Sequence, residues 1–257
     1  MPEQTEPTLA RLPDLIDTGP GNMATDLAML RACAPGGAAF RAYGWSEPTI
    51  SFGLSQRFAD VRTLHGEGTG TPRLVRRPTG GGVVDHRGDW TYALALSADL
   101  DLARAAPVEI YREIHQCLAG IIRDLGGAAV TLAPCPRLCG AVLAPSTVSV
   151  CFEEPVADDV VLAGSGSKVA GAAMKRGREG VLVQGSIRPG SAFGEAGEEI
   201  RTVFFQAFAV SLAGRLGLRL RPTKWAEWAE LKGTSSATDD PADGRQLFSS
   251  DAWTKRR

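Results

Sequence analysis

The 257-residue sequence predicts an α+β domain in which helices pack on a sheet. Two observations carry that expectation. Helical and strand-like patterns alternate along the chain with no internal repeat and no long low-complexity linker, as one layered α+β structure requires. Hydrophobic residues make up 44% of the chain and charged residues 22%, the balance of a protein that buries a full core. The length exceeds the commonest domain size but stays within what one mixed domain can fill. Residues 1–232 therefore read as one domain, and 233–257, with GTSSATDDPADGR, as a polar C-terminal tail leading to a short terminal segment.

The elements follow in order. After Pro20, GNMATDLAMLRACA sets Met23, Leu27 and Leu30 at helical spacing, with Gly36 and Gly37 as the stop, so a helix packed on a sheet is expected. Strands follow at 38–43 and 49–52. From Leu74 to Ser97 the chain reads LVRRP, TGGG, VVDH, RGD, WTYALALS: strand, glycine loop, strand, charged turn, strand. The turn at Arg87, Gly88 and Asp89 predicts that the last two strands form a hairpin. Ile110, Ile114, Leu118, Ile121 and Leu125 recur every three or four residues and predict a helix over 107–125, stopped by Gly126 and Gly127. Residues 160–162, 168–174 and 181–187 read as three neighbouring antiparallel strands, separated by AGSGS and the charged turn KRGREG. A last long helix is expected over 198–216.

A net charge of -1 argues against general polyanion binding, which rests on an excess of Lys and Arg facing phosphates. No apolar run approaches the ~20 residues of a membrane span, and MPEQTEPTLARLPD has acidic residues where a signal peptide needs basic and apolar ones. A cytoplasmic protein is expected. Cys33, Cys117, Cys135, Cys139 and Cys151 form an odd set without regular spacing, which a reducing compartment leaves as thiols. Cys135 and Cys139 lack a second Cys or His pair to complete a four-ligand metal site, so no metal is expected. Cys33 and Cys117 fall on apolar helix faces and read as small buried residues. His65 and His115 stand in no motif, and Trp225, Trp228 and Trp253 read as packing residues.

Two segments carry chemistry. Gly80, Gly81 and Gly82 follow Arg76 and Arg77, and consecutive glycines let the backbone approach a ligand and turn successive N–H groups into an anion nest. A tight strand connection would use the same glycines. The order of the whole segment decides between them: RRPTGGGVVDHRGDWTYAL resembles the signature of the lipoyl and octanoyl attachment family, the biotin/lipoate A/B protein ligases, through Arg76, Arg77, Thr79, Gly80, Gly81, Gly82, Val84, His86, Thr91 and Tyr92. Most members place Asp after the histidine, where this chain has Arg87, with Asp85 on the other side. SKVAGAAMKRGREGVLVQGSI is similar to the family's second pattern, with Lys168, Gly171, Ala173, Gly185 and Ser186 at the key positions. CFEEPVADDVVLAGSGSKVAG, opened by Cys151, looks like the cysteine stretch of the octanoyltransferase branch, with an interval to the lysine about two residues longer, which the Gly-Ser turn absorbs as a longer hairpin.

The resemblance implies a mixed, mainly antiparallel sheet flanked by helices. It implies that Cys151 and Lys168 are catalytic: the cysteine carries the acyl group as a thioester and the lysine ammonium stabilises the oxyanion. Arg76, Arg77, Thr79, Gly80, Gly81, Gly82, His86, Gly171, Ala173, Gly185 and Ser186 would bind substrate. The implied reaction moves octanoyl, or lipoyl, from acyl carrier protein to a lysine of a lipoate-dependent protein such as the glycine cleavage H protein or a dehydrogenase E2 domain, without cofactor. The alternative is an ATP-dependent lipoate ligase acting through lipoyl-AMP with ATP and Mg2+; against it stand Arg87 and a chain without room for the accessory domain of many such ligases. A non-catalytic lipoyl-domain or acyl-carrier binding module is the third reading, opposed by Lys168 beside the glycine loop. Lys175, Arg176 and Arg178 read as an exposed turn or as a surface for an acidic carrier.

Overall fold

The computed structural model describes residues 6–66, 70–135, 155–195, 198–230 and 241–256. Its strands are β1 (Thr8–Arg11), β2 (Leu15–Asp17), β3 (Ala38–Trp45), β4 (Thr49–Phe52), β5 (Arg73–Arg76), β6 (Val83–Asp85), β7 (Trp90–Ser97), β8 (Val130–Leu132), β9 (Val160–Leu162), β10 (Lys168–Gly177), β11 (Gly180–Ile187) and β12 (Arg219–Pro222). Between them lie α1 (Gly19–Arg31), α2 (Phe58–His65), α3 (Asp101–Arg104), α4 (Pro107–Asp124), α5 (Pro189–Phe193), α6 (Glu198–Leu216), α7 (Trp225–Glu230), α8 (Pro241–Ser249) and α9 (Asp251–Thr254).

The large sheet runs β12-β1-β3-β7-β11-β10-β9-β8, with β2 also on β3. From β3 to β8 every pairing is antiparallel, while β12, β1 and β2 add parallel pairs at the other edge. The sheet is therefore mixed and mainly antiparallel, as expected. Period-two alternation gives each strand two faces: Phe40, Tyr92, Leu94 and Val183 turn to α4 and α6, whereas Ala39, Ala93, Ala95 and Leu182 meet α1 and Trp228. On α4 the 3.6-residue period places Ile110, Ile114, Leu118 and Ile122 in the first of these cores, each worth about 1.5–3 kcal/mol of transfer free energy. Helix α1 is buried on nearly every side, because the sheet covers one flank and α8 another. The side chain of Thr18 caps it by accepting from the Gly21 N–H.

Two expectations are corrected. The strands on either side of Arg87 and Gly88 do not form a hairpin: β6 pairs with β4 in a separate sheet of order β5-β4-β6, while β7 lies between β3 and β11. The chain crosses between sheets because Val83 joins Ile50, Phe52 and Val61 in a small core of its own, which β7 cannot reach while filling the large sheet. Residues 241–256 are not a loose tail. Phe248 is buried against Met23, Leu27 and Val75, and the indole N–H of Trp253 donates to the Arg76 carbonyl at 3.0 Å, so α8 and α9 pack on α1 and β5. Among the described residues no helix is long and apolar enough to cross a membrane.

Candidate active site

Lys168 opens β10, where the pairing register with β9 shifts between Lys168 and Ala170. The bulge sends its side chain into the protein, and Nζ lies 2.7 Å from Asp159 Oδ2, with both side chains sealed from solvent. A buried ion pair is stable only when its remaining hydrogen-bonding capacity is met. For the carboxylate it is met: the Val156 N–H donates to Asp159 Oδ2 at 2.7 Å and the Tyr111 hydroxyl to Oδ1 at 2.5 Å, while the Ala172 N–H donates to the Tyr111 oxygen. Tyr111 thus ties α4 to β10. One turn along α4, His115 is fully buried and donates through Nδ1–H to the Asp158 carbonyl at 2.7 Å; burial pushes its pKa down to about 4.

Gly171 explains where the ammonium rests. A Cβ on Gly171 would lie 2.3 Å from Lys168 Cε and 2.5 Å from Nζ, so the lysine folds back across the glycine. Ala173, two residues on, packs beneath Gly81, where an added Cβ would meet the alanine methyl at 3.3 Å.

Of the triple glycines only Gly81 has a positive φ, +84°. Arg77 runs under the loop and donates to the carbonyls of Gly80 and Gly82 at 2.9 and 3.0 Å; the Gly80 N–H reaches the Met174 carbonyl at 3.5 Å. With the Gln56 side-chain amide donating to the Gly81 carbonyl at 3.4 Å, all three loop carbonyls and the Gly80 N–H are engaged within the protein. Gly53 makes this approach possible, since a Cβ there would stand 2.0 Å from the Gly81 oxygen.

His86 stands at the centre of a directional chain. Asp89 can only accept, so in the neutral ring the 2.7 Å contact to Nδ1 assigns the proton to Nδ1 and leaves Nε2 as the acceptor for the Ser51 hydroxyl at 2.6 Å. Ser51 in turn accepts from Arg77 at 2.7 Å. Asp89 also receives the hydroxyls of Ser186 and Thr91, and Thr91 accepts the indole N–H of Trp45, whose ring stacks on His86 at 4.0 Å. The carboxylate next to the histidine thus comes from Asp89, on the far side of the turn, while Asp85 and Arg87 pair with each other at the surface. Below, Asp26 binds Arg41, Tyr43 and Gln184, and Gln184 accepts the Thr79 hydroxyl at 2.7 Å, linking α1 to the glycine loop.

These groups line a cavity, with Met23, Trp45 and Val84 on its apolar side and Lys168, Arg77 and His86 on its polar side. Gly171, Ala173, Gly185 and Ser186 line it too, so both strand motifs converge there. Gly185 is glycine because Tyr92, its cross-strand partner, lies over it: a Cβ would stand 2.2 Å from the ring. Thr79 is buried beneath the cavity and Gly80 faces a neighbouring groove. Arg76 turns elsewhere, fully buried, donating to the carbonyls of Leu54, Gln56, Thr254 and Arg256. Cys151 and Cys139 lie outside the described residues. Cys135 is exposed, and Cys33 and Cys117 are half-buried, with burial pushing the Cys33 thiol up to about 12. Asp159, Tyr111, Asp89, Ser51, Gln184 and Asp26 had no motif to mark them; Asp159 offered only the signal of two adjacent acids before an apolar strand.

Residues 19–192 match the family model of the lipoyl protein ligase A/B catalytic domain. The octanoyltransferase LipM of Kyrpidia tusciae is 36% identical over 182 residues, 67% of this chain and 64% of that protein, so the chain spans somewhat less than two thirds of its relative's length. Among solved structures, a lipoate-protein ligase A bound with ATP aligns at a TM-score of 0.63 and 19% identity over 96% of this chain and 99% of its own. The bipartite lipoate protein ligase of Thermoplasma acidophilum, studied with its E2 lipoyl domain, aligns at 0.61 and 18% over 97% and 98%. At such identities the structural likeness speaks for the fold.

Proposed function

Because the chain belongs to the lipoyl protein ligase A/B catalytic-domain family, we propose that it transfers a medium-length acyl group, octanoyl or lipoyl, from acyl carrier protein to a lysine of a lipoyl-domain protein through a thioester on Cys151. The observation that carries this reading is the Lys168 ammonium, fixed by Asp159 at the wall of a part-apolar cavity beneath the glycine loop. The kinship with proteins named octanoyltransferase favours transfer over ligation. The acceptors are proteins with lipoyl domains, such as the glycine cleavage H protein or a dehydrogenase E2 domain.

The cavity takes the aliphatic chain against Met23 and Val84 and leaves its carbonyl near Lys168 Nζ. The Cys151 thiolate attacks that carbonyl; a carbon–sulfur bond to the enzyme forms as the donor's carbon–sulfur bond breaks, and the departing thiolate takes up the proton the cysteine lost. The tetrahedral oxyanion forms beside an ammonium already held in a dry site, so no solvent has to reorganise around it. The acceptor amine then attacks the enzyme thioester, an amide forms, and the thiol of Cys151 returns with a proton from the amine. A thioester already stores the free energy that an amide needs, so neither ATP nor a metal takes part.

The test is incubation with octanoyl acyl carrier protein in the absence of ATP, read by mass. A hydroxylamine-labile octanoyl adduct, lost in Cys151→Ala together with transfer, is expected. Full transfer by Cys151→Ala would sink the thiol route, and adenylate formation from free lipoate and ATP would put the ligase in its place.

A further inference from the structure

Beside the cavity, across the glycine loop, lies a groove with an empty volume of about 1210 Å³ whose walls carry Gly80, Met174, Lys175, Arg176 and Arg256. Among the described residues three cations line it and no carboxylate does, in a chain whose net charge is -1. The acids nearest these residues in sequence are engaged elsewhere: Glu179 pairs with Arg31 at 3.8 Å and Asp251 with Lys255 at 2.8 Å. The groove is also built. Buried Arg76 donates to the carbonyls of Leu54 on one wall and Arg256 on the other, and the Arg256 guanidinium lies 3.6 Å from the centroid of the Trp253 ring.

Strand geometry links the groove to the reaction centre. Gly171, Ala173 and Lys175 share one face of β10; the Lys168 ammonium rests over Gly171, Ala173 lines the acyl cavity, and Lys175 lines the groove. Four residue steps along the strand carry the chain about 13 Å from Gly171 to Lys175, before side-chain reach is added. We propose that this groove binds the phosphate-bearing arm of the acyl thioester donor, a 4′-phosphopantetheine, with Lys175 and Arg256 on its phosphate. This rests on the thioester-donor reading above. An extended pantetheine arm sets about 17 Å between the thioester carbon and its phosphorus, from bond lengths near 1.5 Å, which suits a cation site displaced along the strand. An acyl adenylate holds its phosphate directly on the reacting carbonyl and would leave these cations unused.

The experiment compares octanoyl-S-4′-phosphopantetheine with octanoyl-S-pantetheine as donors to a lipoyl domain, using the full chain without ATP. The phosphorylated donor should have a kcat/KM higher by on the order of tenfold, as charge-assisted contacts to phosphate imply, and the ratio should shrink as salt is raised. In Lys175→Ala/Arg256→Ala the ratio should fall to within about twofold of unity. Equal use of both donors by the wild-type chain overturns the groove assignment and leaves the thioester reading standing, as does an unchanged ratio in the double variant. Use of neither donor sinks the thioester reading itself, and the assignment with it.

Discussion

Lys168 Nζ and Asp159 Oδ2 lie 2.7 Å apart, and their side chains are 2% and 0% exposed. Removing one partner of such a pair strands a charge in the interior, at a cost of about 3–5 kcal/mol. Lys168→Ala should therefore lose both stability, by about that amount in urea unfolding, and transfer rate, by at least about a hundredfold. Lys168→Met/Asp159→Asn, with no buried charge left, should regain most of the stability and none of the rate. A double variant that recovers activity along with stability would show that the lysine only supports the fold.

Gly171→Ala separates position from presence. The new methyl would displace Lys168 Cε and Nζ and press on Asp159 Oδ1, which would stand 2.9 Å away, so the buried ion pair would be distorted but both partners kept. A displacement of about 1 Å at a catalytic group costs on the order of a hundredfold, so kcat should fall by that much, with a smaller loss of stability than in Lys168→Ala because neither charge loses its partner. An unchanged kcat would mean that the ammonium need not rest where it does.

Asp89→Asn should loosen the chain that runs from Arg77 through Ser51 to His86. With an amide in place of the carboxylate, the ring is free to carry its proton on Nε2, which can no longer accept from Ser51. A loss of about tenfold to a hundredfold in kcat/KM is expected, with nitrogen chemical shifts of His86 moving from a single Nδ1–H tautomer to a mixture. Retention of the single tautomer would contradict this account of the network.

How much of this was legible depends on the range of the signal. Lys168, Gly171, Gly185 and Ser186 were readable because two short motifs fix their order, and β10 and β11 because their periodicity and connecting turn are local. The mate of β6 was not: the turn at Arg87 and Gly88 has the local chemistry of a hairpin, and only the competition between two cores assigns β6 to β4. Asp159 and Tyr111 were hidden for a related reason, since Asp159 meets Lys168, and Tyr111 meets Asp159, from separate segments, and a lone acid or a tyrosine on a helix carries no mark of its partner. Arg76 and Arg77 stand side by side in the motif, yet strand alternation sends one to the backbone of the C-terminal segment and the other to the cavity. The C-terminal helices were masked by a polar composition in which Phe248 and Trp253 supply the apolar anchor.

His115 gives the fold a pH dependence. Its folded pKa, about 4, lies below the 6.5 of the exposed ring because burial disfavours the charged form. Between those values the unfolded chain binds a proton that the folded chain refuses, so this contribution to stability is complete above about pH 6.5 and is lost as the pH falls toward 4. From pH 7 to 4.5 the loss from this one group is about 2 kcal/mol. His115→Asn keeps a donor for the Asp158 carbonyl and cannot titrate; its unfolding free energy should fall by that much less over the same range. Parallel pH profiles for the two proteins would rule the effect out.

In the proposed route a thioester on the enzyme is the species that acylates the acceptor lysine. Octanoyl-enzyme, formed from octanoyl acyl carrier protein and freed of donor, should be mixed with a lipoyl domain in the absence of ATP and both masses followed with time. The account predicts that the octanoyl mass leaves the enzyme and appears on the domain at the same rate, and that Cys151→Ala yields no acyl-enzyme to start from. A stable acyl-enzyme that never acylates the domain, or acylation that begins only when ATP is added, would contradict it.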